Sequence, residues 1–380
     1  MSSVEEFRTE VRTWLQASLS GEFAGLKGRG GPGREHEAFA ERLAWERHMA
    51  VHGWTCVGWP VRYGGRGATV EQQIAFHEEY ALADAPARVN HIGEQLLGPA
   101  LIAYGTEEQK ARFLPPIVAV EELWCQGYSE PDAGSDLAAV RTRAELSEDG
   151  GQWLVNGQKI WTSLAHESQW CFVVARTEPG SRRHAGLSYL LVPMDQPSVE
   201  VRPIVQLTGT SEFNEVYFDD ARTDAANVVG EAGDGWRIAM ATLGFERGVS
   251  TLGQQVGFRR ELEALVALAK RNGAITDALI RDRLVRAWIG LETMRATAAR
   301  EVAPSVAKNY WARWHRDLGE LAMDVRGAAS LLAAGAPYDL DDWQRLFLFS
   351  RADTIYAGSD EIQRDIIAER VLGLPREVRA

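Results

Sequence analysis

The chain has 380 residues, 45% of them hydrophobic and 25% charged, enough for a large core divided into two or three domains. Its net charge of −12 argues against nucleic acid as a main partner, and no apolar run approaches membrane-spanning length. Cys56, Cys125 and Cys171 stand far apart, with neither metal nor disulfide spacing, so no metal site and a reducing, cytoplasmic setting are expected.

Taken in order, the N-terminal stretch places Phe7, Val11, Trp14 and Leu15 on one face of a charged amphipathic helix. GRGGPGRE (Gly28–Glu35) reads as a flexible connection, and Glu37–His52 as a helix that Gly53 ends. WTCVGWPVRYGGRG (Trp54–Gly67) is a glycine-rich loop with aromatic anchors. No GK[ST] follows and no clear strand precedes it, so its expected role is structural. Thr69 with Gln72 and Thr106 with Gln109 are capping boxes. Between them Ile92, Leu96, Leu97, Ala100, Leu101 and Tyr104 form an apolar stripe closed by Gly105. Pro115-Pro116 is expected to disrupt the helix begun at Thr106.

From Trp124 to about Val229 the pattern changes to short alternating runs. Asp149-Gly150 and Asn156-Gly157 are hairpin signals flanking QWLV, and WCFVVART, LSYLLVPM, VEVRPIV and NEVYFDD read as further strands. From Gly230 the chain is helical again, with one or two helices to Arg271 and a long one over Asp277–Glu301. Ala303-Pro304 marks a break, Ser305–Ala334 and Asp341–Asp353 follow, and Ser359 caps the last helix. The fold class is therefore α+β: an N-terminal helical domain (1–122), a middle antiparallel β-domain (123–229) and a C-terminal helical bundle (230–380).

Where the helices give way to strands lies GYSEPDAGSD (Gly127–Asp136), a turn dense in hydrogen-bonding groups whose backbone can face a polar ligand. Its order, with KIWTS (Lys159–Ser163) and IYAGSDEIQRDIIAERVLG (Ile355–Gly373), resembles the acyl-CoA dehydrogenase family of flavoproteins along nearly the whole chain. That resemblance implies a barrel-like β-domain, a C-terminal four-helix bundle and FAD as cofactor. It implies an oxidoreductase that removes the α-proton and β-hydride of an acyl-CoA, leaving a trans-2-enoyl-CoA. Electrons would pass to an electron-transferring flavoprotein, and the protein would be a homo-oligomer, a dimer or tetramer. With a net charge of −12, an anionic CoA ester would need a local basic pocket.

By the same resemblance Gln126, Tyr128, Ser129, Gly134 and Ser135 run along the flavin. Trp161 lies against its ring, Ser163 lies near N5, and Ser359 and Glu361 meet it from the last helix. Ser135, Arg247, Tyr356, Ala357 and Gly358 would contact the acyl-CoA. In much of the family the catalytic Glu stands just before the glycine of the C-terminal motif, a position held here by Ala357. A smaller branch carries it early in the C-terminal domain before an Arg, which matches Glu246-Arg247. Glu246 is therefore the expected base, its apolar or small neighbours Leu243, Phe245, Gly248 and Val249 raising its pKa. Ala357 would lend only its backbone N–H.

Two stretches depart from the family. KRNGAITDALIRDR (Lys270–Arg283) lacks the Phe-Gly that meets the FAD diphosphate of a neighbouring subunit, with Arg271 and Arg283 as substitute phosphate ligands. DVRGAAS (Asp324–Ser330) carries Asp324 for a Gln and Ala328 for a Gly near the adenine. They leave room for a hetero-oligomer of related subunits. Two alternatives to dehydrogenation remain: a same-fold flavin monooxygenase or oxidase, and a non-catalytic partner subunit.

Overall fold

A computed structural model describes residues 3–246, 250–298, 303–335 and 338–376. Helix α1 (Val4–Ser18) starts at a Ser3/Glu6 capping box and buries Phe7, Val11 and Leu15, the expected face. Helix α2 (Phe39–Val51) is followed by Gly53, whose left-handed φ of +70° stops it. The glycine connection before α2 is clamped, not loose. Arg42, wholly buried on α2, donates to the Ala87 and Glu35 carbonyls (2.9 and 2.8 Å) and to the Glu35 carboxylate (2.7 Å). A Cβ at Gly30 would stand 2.2 Å from that guanidinium, so only glycine lets the loop close over it. From the β-domain, Glu212 accepts the Gly33 and Glu35 N–H groups, both at 3.0 Å.

Helices α3 (Val70–Leu82) and α5 (Glu107–Val118) begin at the two expected capping boxes, each with both reciprocal hydrogen bonds. Helix α5 runs through Pro115 and Pro116 to Val118 instead of breaking. Both prolines sit in its last turn, where they remove two donors, while Phe113, Leu114 and Ile117 stay buried. The apolar stripe is not one regular helix: a π-helical turn, Gly93–Leu97, leads into α4 (Gly98–Tyr104). That wider turn still keeps Leu96, Leu97, Ala100 and Leu101 in the core.

The middle region forms strands β1 (Trp124–Gly127), β2 (Arg143–Leu146), β3 (Gln152–Ser163), β4 (Trp170–Arg176), β5 (Leu187–Pro193), β6 (Val199–Ile204) and β7 (Phe213–Asp224). They lie in the order β1-β4-β2-β3-β7-β6, with β5 on β4. The pairings are mostly antiparallel, but β1 and β2 run parallel to β4. The two hairpin signals part ways. Asp149-Gly150 does turn the chain from β2 into β3, whereas Asn156-Gly157 lies inside β3 at a bulge against β7. A Cβ at Gly157 would come 2.7 Å from the Thr142 Cα, so glycine there serves a close approach of strands.

Helices α6 (Gly235–Glu246), α7 (Ser250–Arg271), α8 (Ala278–Ala298), α9 (Pro304–Arg326), α10 (Asp342–Asp353) and α11 (Asp360–Ile366) complete the chain. Helix α9 starts with Pro304 and stops at Arg326, short of Ala334, where Gly327 turns left-handed. The expected end of the preceding helix, Glu301, lies outside the described residues. One face of the sheet, with Phe172, Tyr189 and Leu191, shares a core with α4, α5 and Ile238 and Ala239 of α6. A separate core of α7, α8 and α9, including Phe258, Leu265, Leu291 and Trp311, holds the C-terminal bundle. Helix α3 packs on α7, where Arg260 pairs with Asp84 at 2.5 Å. Among the described residues no helix is long and apolar enough to cross a membrane.

Candidate active site

The first two motifs are built as one unit. Beyond β1, Glu130 and Ala133 exchange backbone hydrogen bonds of 3.0 Å, and the Ile160 N–H donates to the Ser129 carbonyl at 2.9 Å. Lys159, fully buried, donates from Nζ to Glu130 Oε1 (2.8 Å) and to the carbonyls of Tyr128 (3.1 Å) and Val174 (2.8 Å). Glu130 also accepts the N–H groups of Arg141 (2.6 Å) and Thr142 (2.9 Å). Burial pushes the Glu130 carboxyl up, but Lys159 and these donors outweigh it and hold its pKa below the usual value. Burial pulls the Lys159 pKa down, with Glu130 opposing it, and the pair locks Gly127–Asp136 onto β3.

Strand β3 then does something its alternation does not foretell. Trp153, Val155 and Lys159 point inward, and the same period would bury Trp161. A bulge between Lys159 and Thr162 turns Thr162 inward instead, and Trp161 takes a φ of +59° with 55% of its surface exposed. A left-handed tryptophan facing outward is strained, and such strain concentrates at ligand sites. Of the other expected flavin-lining residues of β1, the turn and β3, Tyr128 is buried, Gln126, Ser129 and Ser163 are half-buried, and Gly134 and Ser135 are exposed. The structure thus ties the Gly127–Asp136 turn to β3 through Ser129–Ile160 and Glu130–Lys159, directly beside the exposed Trp161 in sequence. A flat aromatic group fits against that exposed indole.

A cleft that no motif of the chain marks borders the end of the Gly127–Asp136 turn. About 360 Å³ opens between Asp136–Arg141 and the β4–β5 loop, lined by Arg141, Arg176, Arg182 and Arg183. Arg176 builds it, donating to Ser181 Oγ (3.1 Å) and to carbonyls on both walls, Ala138 (3.2 Å) and Ala185 (2.9 Å) among them. Arg141 is 81% exposed at the rim, 3.4 Å from Asp132. Its trace in the sequence is the paired arginine of GSRRHAG between two strands.

Helix α6 packs against the sheet, α4 and the π-turn, burying Ile238, Ala239 and Thr242. Leu243 is half-buried and Phe245 is 36% exposed. Glu246 is the last residue of α6; its side chain, with Arg247, Gly248 and Val249, lies outside the described residues.

Tyr356, Ala357 and Gly358 form the turn between α10 and α11. Ala357 and Gly358 have left-handed φ values of +53° and +84°, a strained backbone for alanine. Gln363 of α11, fully buried, donates to the carbonyls of Ala357 (3.0 Å) and Gly358 (3.2 Å). Ser359 caps α11, as expected, accepting the Ile362 N–H at 3.4 Å, and Glu361 is exposed in its first turn. The two departures meet each other: Arg283 donates to the Asp324 carboxylate, joining α8 to α9.

Models of the acyl-CoA dehydrogenase N-terminal, middle and C-terminal domains match residues 2–121, 125–221 and 233–372. The chain is 65% identical to acyl-CoA dehydrogenase IpdE1 of Mycolicibacterium smegmatis and to that of Mycobacterium tuberculosis, covering 100% of each chain. Among solved structures, the Tcur3481–Tcur3483 steroid ACAD is 29% identical with a TM-score of 0.83, covering 98% of both chains. The ChsE4–ChsE5 complex from Mycobacterium tuberculosis is 29% identical with a TM-score of 0.81, covering 99% of both. With three consecutive domain models and full-length relatives behind it, the chain belongs to the acyl-CoA dehydrogenase family of flavoprotein oxidoreductases.

Proposed function

We propose that the chain catalyses α,β-dehydrogenation of an acyl-CoA thioester to the trans-2-enoyl-CoA, with FAD as cofactor and Glu246 as base. The observation that carries this reading is Trp161, strained, exposed and tied by Lys159 to the Gly127–Asp136 turn. Gln126, Tyr128, Ser129, Gly134 and Ser135 would hold the flavin with Trp161 and Ser163, and Ser359 and Glu361 would reach it from α11. Bound there, FAD supplies an acceptor for the β-hydride.

The α-C–H of a thioester is too weak an acid for an unaided carboxylate, so the developing enolate oxygen needs a donor. Ala357 cannot take a proton through its methyl group, and its backbone N–H would serve that oxygen. Ser135, Tyr356 and Gly358 would frame the thioester, and Glu246 would take the proton with Arg247 beside it. The Arg141, Arg182 and Arg183 cleft is the local basic pocket that a CoA nucleotide needs on a chain of net charge −12. Domain boundaries at 122/123 and 229/230 would separate the helical, flavin-floor and base-carrying regions.

Likeness to a steroid ACAD supports a bulky, ring-bearing acyl group. Asp324 is engaged by Arg283 and the Phe-Gly is absent, so a non-identical partner subunit would complete the adenosine end of the cofactor site; likeness to the ChsE4–ChsE5 complex supports this. The three buried free thiols fit a cytoplasmic setting, with an electron-transferring flavoprotein as acceptor. Anaerobic titration with a panel of CoA thioesters tests the reading. The yellow protein should bleach with one thioester class, and Glu246→Gln should stay yellow without bleaching. Bleaching of that variant at the wild-type rate would remove Glu246 from the mechanism, and a colourless protein that regains no FAD would favour a non-catalytic partner subunit.

A further inference from the structure

Beneath the Tyr356–Gly358 turn, three helices meet on one histidine. His315 of α9 has both ring nitrogens engaged: Nδ1 with Asp353 Oδ2 of α10 at 2.6 Å, and Nε2 with Glu261 Oε2 of α7 at 3.0 Å. Two carboxylates on one imidazole require a proton on each nitrogen, because the neutral ring donates only once. The ring also lies on Phe258, with centroids 4.5 Å apart, and Asp353 is 2% exposed. Burial works against the imidazolium, yet Glu261 and Asp353 outweigh it and push the His315 pKa up to about 10.

A staple between helices would end at Asp353. This one continues, since the other oxygen of Asp353 accepts the Tyr356 hydroxyl at 2.5 Å. Lys308 of α9 donates to the Asp353 backbone carbonyl, and its ammonium stands 5.6 Å from the centroid of the Tyr356 ring. The turn is thereby gripped twice, at Tyr356 through Asp353 and at the Ala357 and Gly358 carbonyls through Gln363. Two successive left-handed residues hold their shape only where the surroundings over-determine them.

We propose that His315 is a positioning residue for the thioester-binding turn, acting through Asp353 and the Tyr356 hydroxyl to fix the Ala357 and Gly358 peptide planes. The proposal rests on the reading of that turn as the thioester site. His315→Gln and Tyr356→Phe interrupt the same line at different points, so a double-mutant cycle on the flavin-loaded protein tests it. Hydrogen exchange of the peptide spanning Ile355–Ser359 reads the turn directly. Each single variant should speed its exchange about tenfold, and the double variant should be no faster than either. Flavin reduction by the bleaching thioester should fall by a similar factor in each, again without addition, with flavin content unchanged.

Additive effects, or faster exchange across α7, α9 and α10 in His315→Gln with none at the turn in Tyr356→Phe, would make His315 a structural staple and overturn the proposal. If the exchange cycle behaves as stated while no thioester bleaches even the wild-type protein, the clamp stands and the dehydrogenase reading fails. Normal exchange and normal bleaching in both variants would sink the clamp and leave that reading intact.

Discussion

Replacing Lys159 with Met should loosen the flavin-facing surface from within. The ammonium satisfies three acceptors in a fully buried position: Glu130 Oε1 at 2.8 Å, the Val174 carbonyl at 2.8 Å and the Tyr128 carbonyl at 3.1 Å. Methionine is of similar length and fills the space, so the loss is electrostatic and not a cavity. Each carbonyl forfeits about 1 kcal/mol of net hydrogen bonding. Glu130 keeps the Arg141 and Thr142 N–H groups but becomes an unpaired buried charge, and breaking a buried pair costs about 3–5 kcal/mol in all. Chemical denaturation followed by far-UV circular dichroism should show that loss, and flavin should be released at lower denaturant than in the wild type. Adding Glu130→Gln to K159M should recover part of the loss, because the stranded charge disappears. If K159M unfolds within about 1 kcal/mol of the wild type and keeps its flavin, the Lys159–Glu130 pair does not hold this surface together.

Trp161→Ala should leave unfolding stability within about 1 kcal/mol, since the indole is 55% exposed, while weakening flavin retention measured by gel filtration. Gly157→Ala should destabilise by about 1–3 kcal/mol in thermal melts, because the new methyl would stand 2.7 Å from the Thr142 Cα. Stability contributed by His315, whose folded pKa of about 10 exceeds the ordinary 6.5, should be complete below pH 6.5. It should fall by about 1.4 kcal/mol per pH unit between 6.5 and 10, a slope that His315→Gln removes from the denaturation profile.

The sequence by itself determined what depends on residues within a turn of one another. Ser359, Thr69 and Thr106 cap their helices because a side-chain oxygen reaches an N–H three residues on, and Gly53 stops α2 because it alone adopts +70° at little cost. The motif order also carried the family, and Gly127–Asp136 and Lys159–Ser163 are hydrogen-bonded to each other as neighbours in space. Tertiary structure decided what partners far along the chain impose. Lys159 answers to Glu130 across 29 residues, Arg42 to the Ala87 carbonyl across 45, and His315 to Asp353 across 38 and Glu261 across 54. The outward face of Trp161 follows from one bulge that reverses the alternation of β3, and Asn156-Gly157 became a close strand contact instead of a turn. Local patterns set which face of an element is apolar; only packing decides which charges share a buried site, because desolvation makes each of them need a partner the local sequence does not contain.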